Sequence, residues 1–273
     1  MRRYGPWAVV VGASDGIGAA FAEELAARGS NLVLVARREA PLDELADRLR
    51  DQHGVRIRTA ALDAATPEGV AAIAGAHEDV GLLVCNAALG PVGPFLELTA
   101  AQLDAMLDLN CRSAAHLAHA FGTRMANRGC GGIILLSSLA ANQGTALIAH
   151  YAATKAYLRV LAEGLWIELQ PLGVDVLACC PGQVRTPTFD RGAPAPAGRL
   201  VPAPMSPRVV ARQTLAALGR RPVLIPGWRN RFLATVAVRL LSRRRLVATA
   251  SARTRAMYPT RSHRSAPPDG SGG

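Results

Sequence analysis

The chain has 273 residues, half of them hydrophobic and 4% aromatic, with 31 basic and 20 acidic side chains and a net charge of +11. No run approaches the ~18 apolar residues of a membrane-spanning helix, and the apolar stretch ending at Gly12 is too short for a secretory h-region of ~7–15 residues, so a cytoplasmic location is expected. Residues 191–273 hold 16 arginines and one acid, Asp269, whereas residues 1–190 hold 15 basic and 19 acidic side chains, so no nucleic-acid partner is expected for the main body.

Strand-like apolar runs alternate with Ala-rich helical stretches. In chain order the runs are "WAVVVGA" (7–13), "NLVLVA" (31–36), "VRIRTAAL" (55–62), "VGLLVCNA" (80–87), "GGIILLSS" (131–138), "GVDVLACC" (173–180) and "RPVLIPG" (221–227). Helical patterns lie between them, for example over 17–28, 41–52, 100–127 and 152–169. This alternation predicts one α/β domain with a seven-stranded parallel sheet flanked by helices. The first six runs are apolar on both faces, as strands covered from both sides are. Cys85, Cys111, Cys130, Cys179 and Cys180 show no metal-binding spacing. They are expected as small, buried, free thiols, and no metal site is predicted.

Residues 185–207 are rich in Pro, Gly and Ala and interrupt the alternation, as a loop serving a site does. The expected organisation is a domain over 1–227, a basic helical extension over 228–258 and a disordered polar tail over 259–273. In "WRNRFLATVAVRLLSRRRL", Leu233, Val236, Ala237, Leu240 and Leu241 share one helical face, while Arg231, Arg239 and Arg243 lie on others. Such a helix suits peripheral contact with an anionic membrane, a cover over a pocket, or contact with a partner subunit.

"VVVGASDGIGAAFAEEL" sets a strand, a Gly-rich turn and a helix in succession, so the sheet is expected to be doubly wound and Rossmann-type. Gly12, Gly16 and Gly18 let the backbone turn tightly and let a pyrophosphate approach the free N–H groups of the helix. The second strand ends in "LVARR" where a site for a free ribose 2′-hydroxyl carries an acid. Arg37 there suits a 2′-phosphate, so NADP(H) is expected over NAD(H), with Asp15 adding no attraction.

Ligands of such sheets sit beyond the carboxyl ends of the strands. Ser137 and Ser138 close the fifth strand, Asn86 the fourth, and Pro181 and Gly182 follow the sixth. Tyr151 opens the next helix, with Lys155 one turn further on the same face. Lys155 is the only lysine among 31 basic residues. A tyrosine working as acid and base near neutrality needs its pKa lowered by roughly 3 units, or about 4 kcal/mol. An ammonium about 4 Å away supplies about that much at an effective dielectric of 20, and it is compact where a guanidinium is broad and planar.

From Trp7 to about Gly227 this set of motifs resembles the short-chain dehydrogenase/reductase family. "GASDGIG" is similar to the family's cofactor loop, including Ser14 and Ile17. Asp63 stands where the family binds adenine, and "CNAAL", with Asn86 and Ala87, at its N-N-A-G segment. Asn110, Ser138, Tyr151 and Lys155 match the catalytic tetrad, and "PGQVRT", with Pro181, Gly182, Val184 and Thr186, the motif beside the nicotinamide. Val11, Cys85 and Ala88 depart from the pattern at positions that support the central strand. The opening stretch and "LIPGW" look most like the branch of 17-beta-hydroxysteroid dehydrogenases, 3-ketoacyl-CoA reductases and their bacterial relatives.

The resemblance implies that Ser138 and Tyr151 hydrogen-bond a substrate carbonyl and Tyr151 donates the proton. Lys155 lowers the Tyr151 pKa and holds the cofactor ribose, and Asn110 orients a relay water. Leu139, Ala140, Asn142, Leu147, His150, Gln183 and Phe189 are the candidate pocket residues, largely apolar, with the loop to 207 as a lid. The expected substrate is a small hydrophobic ketone or secondary alcohol, and a homodimer or homotetramer built on 100–127 and 152–169 is implied. Two rivals stay open: a cofactor-binding sensor or scaffold without turnover, and a redox-neutral enzyme such as an epimerase or dehydratase.

Overall fold

A computed structural model of the chain describes residues 4–75, 79–191 and 202–258. Seven strands form one parallel sheet: β1 (Trp7–Val11), β2 (Asn31–Ala36), β3 (Ile57–Ala61), β4 (Val80–Cys85), β5 (Gly131–Leu136), β6 (Val174–Cys179) and β7 (Val223–Leu224). Their order is β3-β2-β1-β4-β5-β6-β7. Ten α-helices accompany them among the described residues: α1 (Gly16–Ala26), α2 (Glu39–His53), α3 (Pro67–Gly75), α4 (Ala100–Leu107), α5 (Ala114–Arg128), α6 (Ala149–Leu169), α7 (Pro187–Arg191), α8 (Pro207–Ala217), α9 (Trp228–Leu240) and α10 (Arg243–Met257).

Strand side chains alternate between two cores. Ala8, Val10, Leu32 and Leu34 pack with Phe21, Leu42 and Val210 of α1, α2 and α8. Val9, Val11, Val33 and Val35 pack with Ile73, Leu117, Phe121 and Leu158 of α3, α5 and α6. Both faces of the central strands are therefore apolar, as their sequences require. β3 departs from that expectation: it is an edge strand, and Arg58 and Ala61 are exposed.

The direction of winding reverses between β1 and β4, which opens a crevice at their carboxyl ends. The predicted helix over 100–127 is interrupted by a π-helical turn, Asp108–Ser113, that carries Asn110. β5 stops at Leu136, so Ser137 and Ser138 stand in the turn that follows rather than in the strand. The thiols of Cys85, Cys179 and Cys180 are buried, whereas Cys111 and Cys130 are partly exposed, and no two of them are joined in a disulfide among the described residues.

The stretch 228–258 is two helices, broken at Leu241 and Ser242, and it does not stand apart from the domain. Asn230 is buried, donates to the Pro226 carbonyl and Met205 sulfur, and packs against Gly182. Of the proposed lid, residues 192–201 lie outside the described residues, as does the tail 259–273. Val184 and Met205 pair as an isolated bridge at the base of that loop.

Candidate active site

A cleft of about 880 Å³ runs along the crevice between β1 and β4. Its walls include Gly12, Ser14, Asp15, Gly16, Ile17, Arg37, Asp63, Asn86, Ala87 and Thr186 of the predicted cofactor set. Gly12 has φ 82, and a Cβ there would stand 2.7 Å from the Ala87 nitrogen, so only glycine fits the turn. Gly18 lies outside the cleft. A Cβ on it would strike the Gly12 carbonyl oxygen, so this glycine seats α1 against the turn instead of touching a ligand. Asn86 Nδ2 donates to that same Gly12 oxygen at 2.8 Å and locks the turn from the β4 side.

Asp15 precedes α1 without capping it through its side chain, so the first N–H groups of α1 face the cleft. Arg38 Nη2 pairs with Asp15 Oδ2 at 2.9 Å and lies 3.4 Å from Ser14 Oγ. This pairing offsets the acid in the turn and leaves Arg37, also on the cleft wall, as a cation with no hydrogen-bond or ion-pair partner among the described residues. Asp63 Oδ1 accepts from the Ala65 N–H at 2.9 Å, which shapes the far end. A narrow glycine cradle at a helix N-terminus, an elongated cleft and an arginine at its outer end fit a phosphorylated dinucleotide.

A second cavity of about 450 Å³ adjoins it, lined by Ser138, Leu139, Ala140, Asn142, Tyr151, Gly182, Gln183 and Phe189 among others. Gly90 lines both spaces. The loop after β4 crosses the Tyr151 ring so closely at Gly90 that a Cβ would lie 2.7 Å from Cδ2 and 2.9 Å from Cε2. Two pocket expectations fail. His150 Nε2 is 3.0 Å from the Leu103 carbonyl, turned toward α4, and Leu147 adopts φ 67 with its carbonyl accepting from Gly93; neither lines the cavity.

Much of the cavity wall comes from α9, α10 and the break between them instead: Leu233, Ala234, Ala237, Leu241, Leu246, Ala250 and Met257, with Tyr258 at the end. Of the apolar face read from the sequence, Leu233, Ala237 and Leu241 are turned inward, whereas Val236 does not line the cavity and Leu240 is 77% exposed. Of the three roles its sequence allows, covering the pocket is the one this face performs. Position-by-position periodicity gives the face but not what it packs on, which is why Asn230, Arg253 and Tyr258 carried no signal.

The tetrad residues converge on α6 and the ends of β4 and β5. Asn110 accepts from the Leu89 N–H and donates to the Leu89 carbonyl, each at 2.8 Å, and donates to Thr154 Oγ1 at 3.0 Å. Both its amide protons are engaged, so the side chain clamps the β4 loop to α6, and a relay water is not held by those donors. Ser138 Oγ accepts from the Ala140 N–H at 3.1 Å.

Lys155 is 2% exposed; its Nζ donates to the Leu136 carbonyl at 2.7 Å and lies 5.7 Å from the Tyr151 ring centroid. Burial brings it down from 10.5 to about 8. Tyr151 moves opposite to expectation. Burial pushes its phenol up, the Ser138 hydrogen bond pulls it partly back, and Tyr258 nearby raises it further. Desolvation wins, and Lys155, whose ammonium donates to the Leu136 carbonyl, is not among the groups that lower the phenol. Lys155, Tyr151, Pro181, Gly182 and Val184 accordingly do not line the larger cleft; Tyr151 and Gly182 line the cavity, and Val184 is buried in its bridge.

This fold and this arrangement are those of a family. The short chain dehydrogenase family model matches residues 6–195, and the chain belongs to that family. Among relatives, a 7beta-hydroxysteroid dehydrogenase of Clostridium sardiniense is 32% identical over 84% of this chain and 88% of its own. A solved structure from a study of 7beta-hydroxysteroid dehydrogenase stereoselectivity superposes with a TM-score of 0.85 at 25% identity, covering 91% of this chain and 97% of that one. A short-chain dehydrogenase from Sphingobium yanoikuyae in complex with NADPH superposes with a TM-score of 0.74 at 32% identity, covering 86% and 93%. The protein is an oxidoreductase of this family acting on CH–OH groups.

Proposed function

We propose that the protein is an NADP(H)-dependent reductase or dehydrogenase of a bulky apolar ketone or secondary alcohol, steroid-like or 3-ketoacyl in class. The observation that carries this reading is the meeting of the two spaces at Gly90, where Tyr151 and Ser138 face an apolar cavity beside the glycine cradle. Gly12, Gly16 and the first turn of α1 would hold the pyrophosphate, Arg37 the 2′-phosphate, and Asp63 the adenine end. The bound cofactor supplies hydride chemistry.

Ser138 orients the substrate carbonyl, and Tyr151 gives its phenolic proton to the oxygen as charge develops there. Its raised pKa keeps that proton in place until then. Lys155 lies one turn along α6, where its cation offsets the phenolate left behind. Asn110 holds Leu89, and with it the loop that passes over Tyr151. Relatives described as hydroxysteroid dehydrogenases and the mostly apolar cavity support a lipid-like substrate over a sugar. The test is NADPH oxidation with a panel of steroid ketones, 3-ketoacyl thioesters and small cyclic ketones, with Tyr151→Phe as blank. Ketone-dependent turnover lost in the variant supports the reading; NADPH binding without any turnover favours the sensor or redox-neutral rivals.

Self-association through α6 is part of the proposal. Tyr157, Val160 and Ile167 form an exposed apolar stripe on it, Val160 at 65% and Ile167 at 61% exposure. Sedimentation of Val160→Arg as a monomer, beside an oligomeric parent, would support that face; an oligomer unchanged in the variant would refute it. Among the described residues no helix is long and apolar enough to cross a membrane. Residues 202–258 contain 12 arginines and no acid. The outward side of α9 carries Trp228 and Phe232, 70% and 60% exposed, near Arg231 and Arg239. This surface suits peripheral contact with anionic lipid in a cytoplasmic setting. Co-sedimentation with anionic but not neutral vesicles is the expected result, and no binding to either would refute it.

A further inference from the structure

We propose that Arg253 binds an anionic group at the far end of the substrate, so that the preferred ketone is an amphiphile whose apolar body separates its carbonyl from a carboxylate. This rests on the reading of the smaller cavity as a ketone site. Among the described residues the cavity is lined by apolar and neutral polar side chains apart from one charged residue, Arg253. Its guanidinium is exposed and has no hydrogen-bond or ion-pair partner among the described residues.

The position is distinct from the other arginines nearby. Leu246, Ala250, Arg253 and Met257 recur at three- and four-residue spacing on α10, and all four line the cavity. Arg244, Arg245 and Arg255 on the same helix are exposed and do not. Arg253 therefore belongs to the stripe that faces the substrate. Tyr258, five residues on, is near enough to Tyr151 to raise its pKa. Helical rise sets residue 253 about 7.5 Å further along the axis. Arg253 and Tyr258 thus line the same cavity at points of α10 and its end separated by more than one helical turn, a span that a fused-ring or extended-chain body fills.

The local charge agrees with this assignment. Residues 202–258 supply no acid to compete for the guanidinium. A carboxylate matches its planar fork with paired hydrogen bonds. The cavity mouth then selects for charge while its apolar walls select for bulk, and neither contact touches the reacting atoms.

The experiment uses the full chain with NADPH and two matched pairs: an oxosteroid carboxylic acid with its methyl ester, and a long-chain oxo fatty acid with its methyl ester. The parent protein is expected to prefer the acid of at least one pair, through KM rather than kcat. Arg253→Gln should lower the acid-to-ester ratio of kcat/KM on the order of 10-fold, the size of one charge-assisted contact near solvent. Raising ionic strength should erode the acid preference of the parent and not of the variant. An acid-to-ester ratio that is the same in both proteins overturns the Arg253 assignment and leaves the ketone site standing. Absence of Tyr151-dependent reduction with all four compounds overturns the ketone-site reading, and this assignment with it.

Discussion

Gly90→Ala places one methyl group between the two halves of the site. The added Cβ would lie 2.7 and 2.9 Å from two carbons of the Tyr151 ring, against about 3.4 Å for ordinary contact, so the ring or the loop must give by roughly 0.7 Å. The loop is not free to lift, because Leu89 is held at both its N–H and its carbonyl by Asn110. The ring is therefore displaced, and the phenol oxygen at its end moves with it. A misplacement of about 1 Å at a reacting group costs on the order of 100-fold in rate, while overpacking of this size costs about 1–3 kcal/mol of stability. The assay is steady-state NADPH oxidation on the best ketone of the panel, with thermal unfolding in parallel. The expected result is kcat lowered about 100-fold in a protein that still unfolds cooperatively. A folded variant with kcat within twofold of the parent would refute the claim that Gly90 sets the position of Tyr151.

Arg37→Ala should lower the NADPH-to-NADH ratio of kcat/KM about 10- to 100-fold, because it removes a charge-assisted contact to the 2′-phosphate; an unchanged ratio would remove Arg37 from the cofactor site. The pH dependence of reduction should follow Lys155. That group is held at about 8 instead of 10.5, so it is charged below pH 8 and loses its charge as pH rises through 8. Tyr151, pushed up, keeps its proton over the same range. Reduction kcat/KM should be level below about pH 8 and fall above it; a fall that starts only beyond pH 10 would assign the limb to Tyr151 instead.

Local signals were the legible ones. The central strands, covered on both faces, read as continuous apolar runs, the edge strands β3 and β7 were found from their place in the alternation with helices, and the glycine turn sits where its spacing places it. The spacing of Tyr151 and Lys155 also gave their adjacency. It did not give the direction of the Lys155 ammonium, which the Leu136 carbonyl decides from a different element. Gly90 has no pattern around it, since its need arises from a ring 61 residues later in the chain. Gly18 reads as a ligand contact in the motif, yet its missing side chain makes room for the Gly12 carbonyl. Arg253 and Tyr258 line the cavity only because α9 and α10 fold back over it. Their apolar periodicity matches a membrane-surface helix as well as a pocket wall.

The most direct test of the central claim compares cofactor binding and turnover in Tyr151→Phe. The phenol lines the smaller cavity and not the cofactor cleft, so NADPH titrated by fluorescence should bind within about threefold of the parent, a difference of well under 1 kcal/mol. Ketone reduction in the same sample should fall by a factor of about 1000, as loss of a positioned general acid predicts. Turnover that survives the substitution would contradict the assignment of Tyr151 as proton donor and, with it, the account of the site.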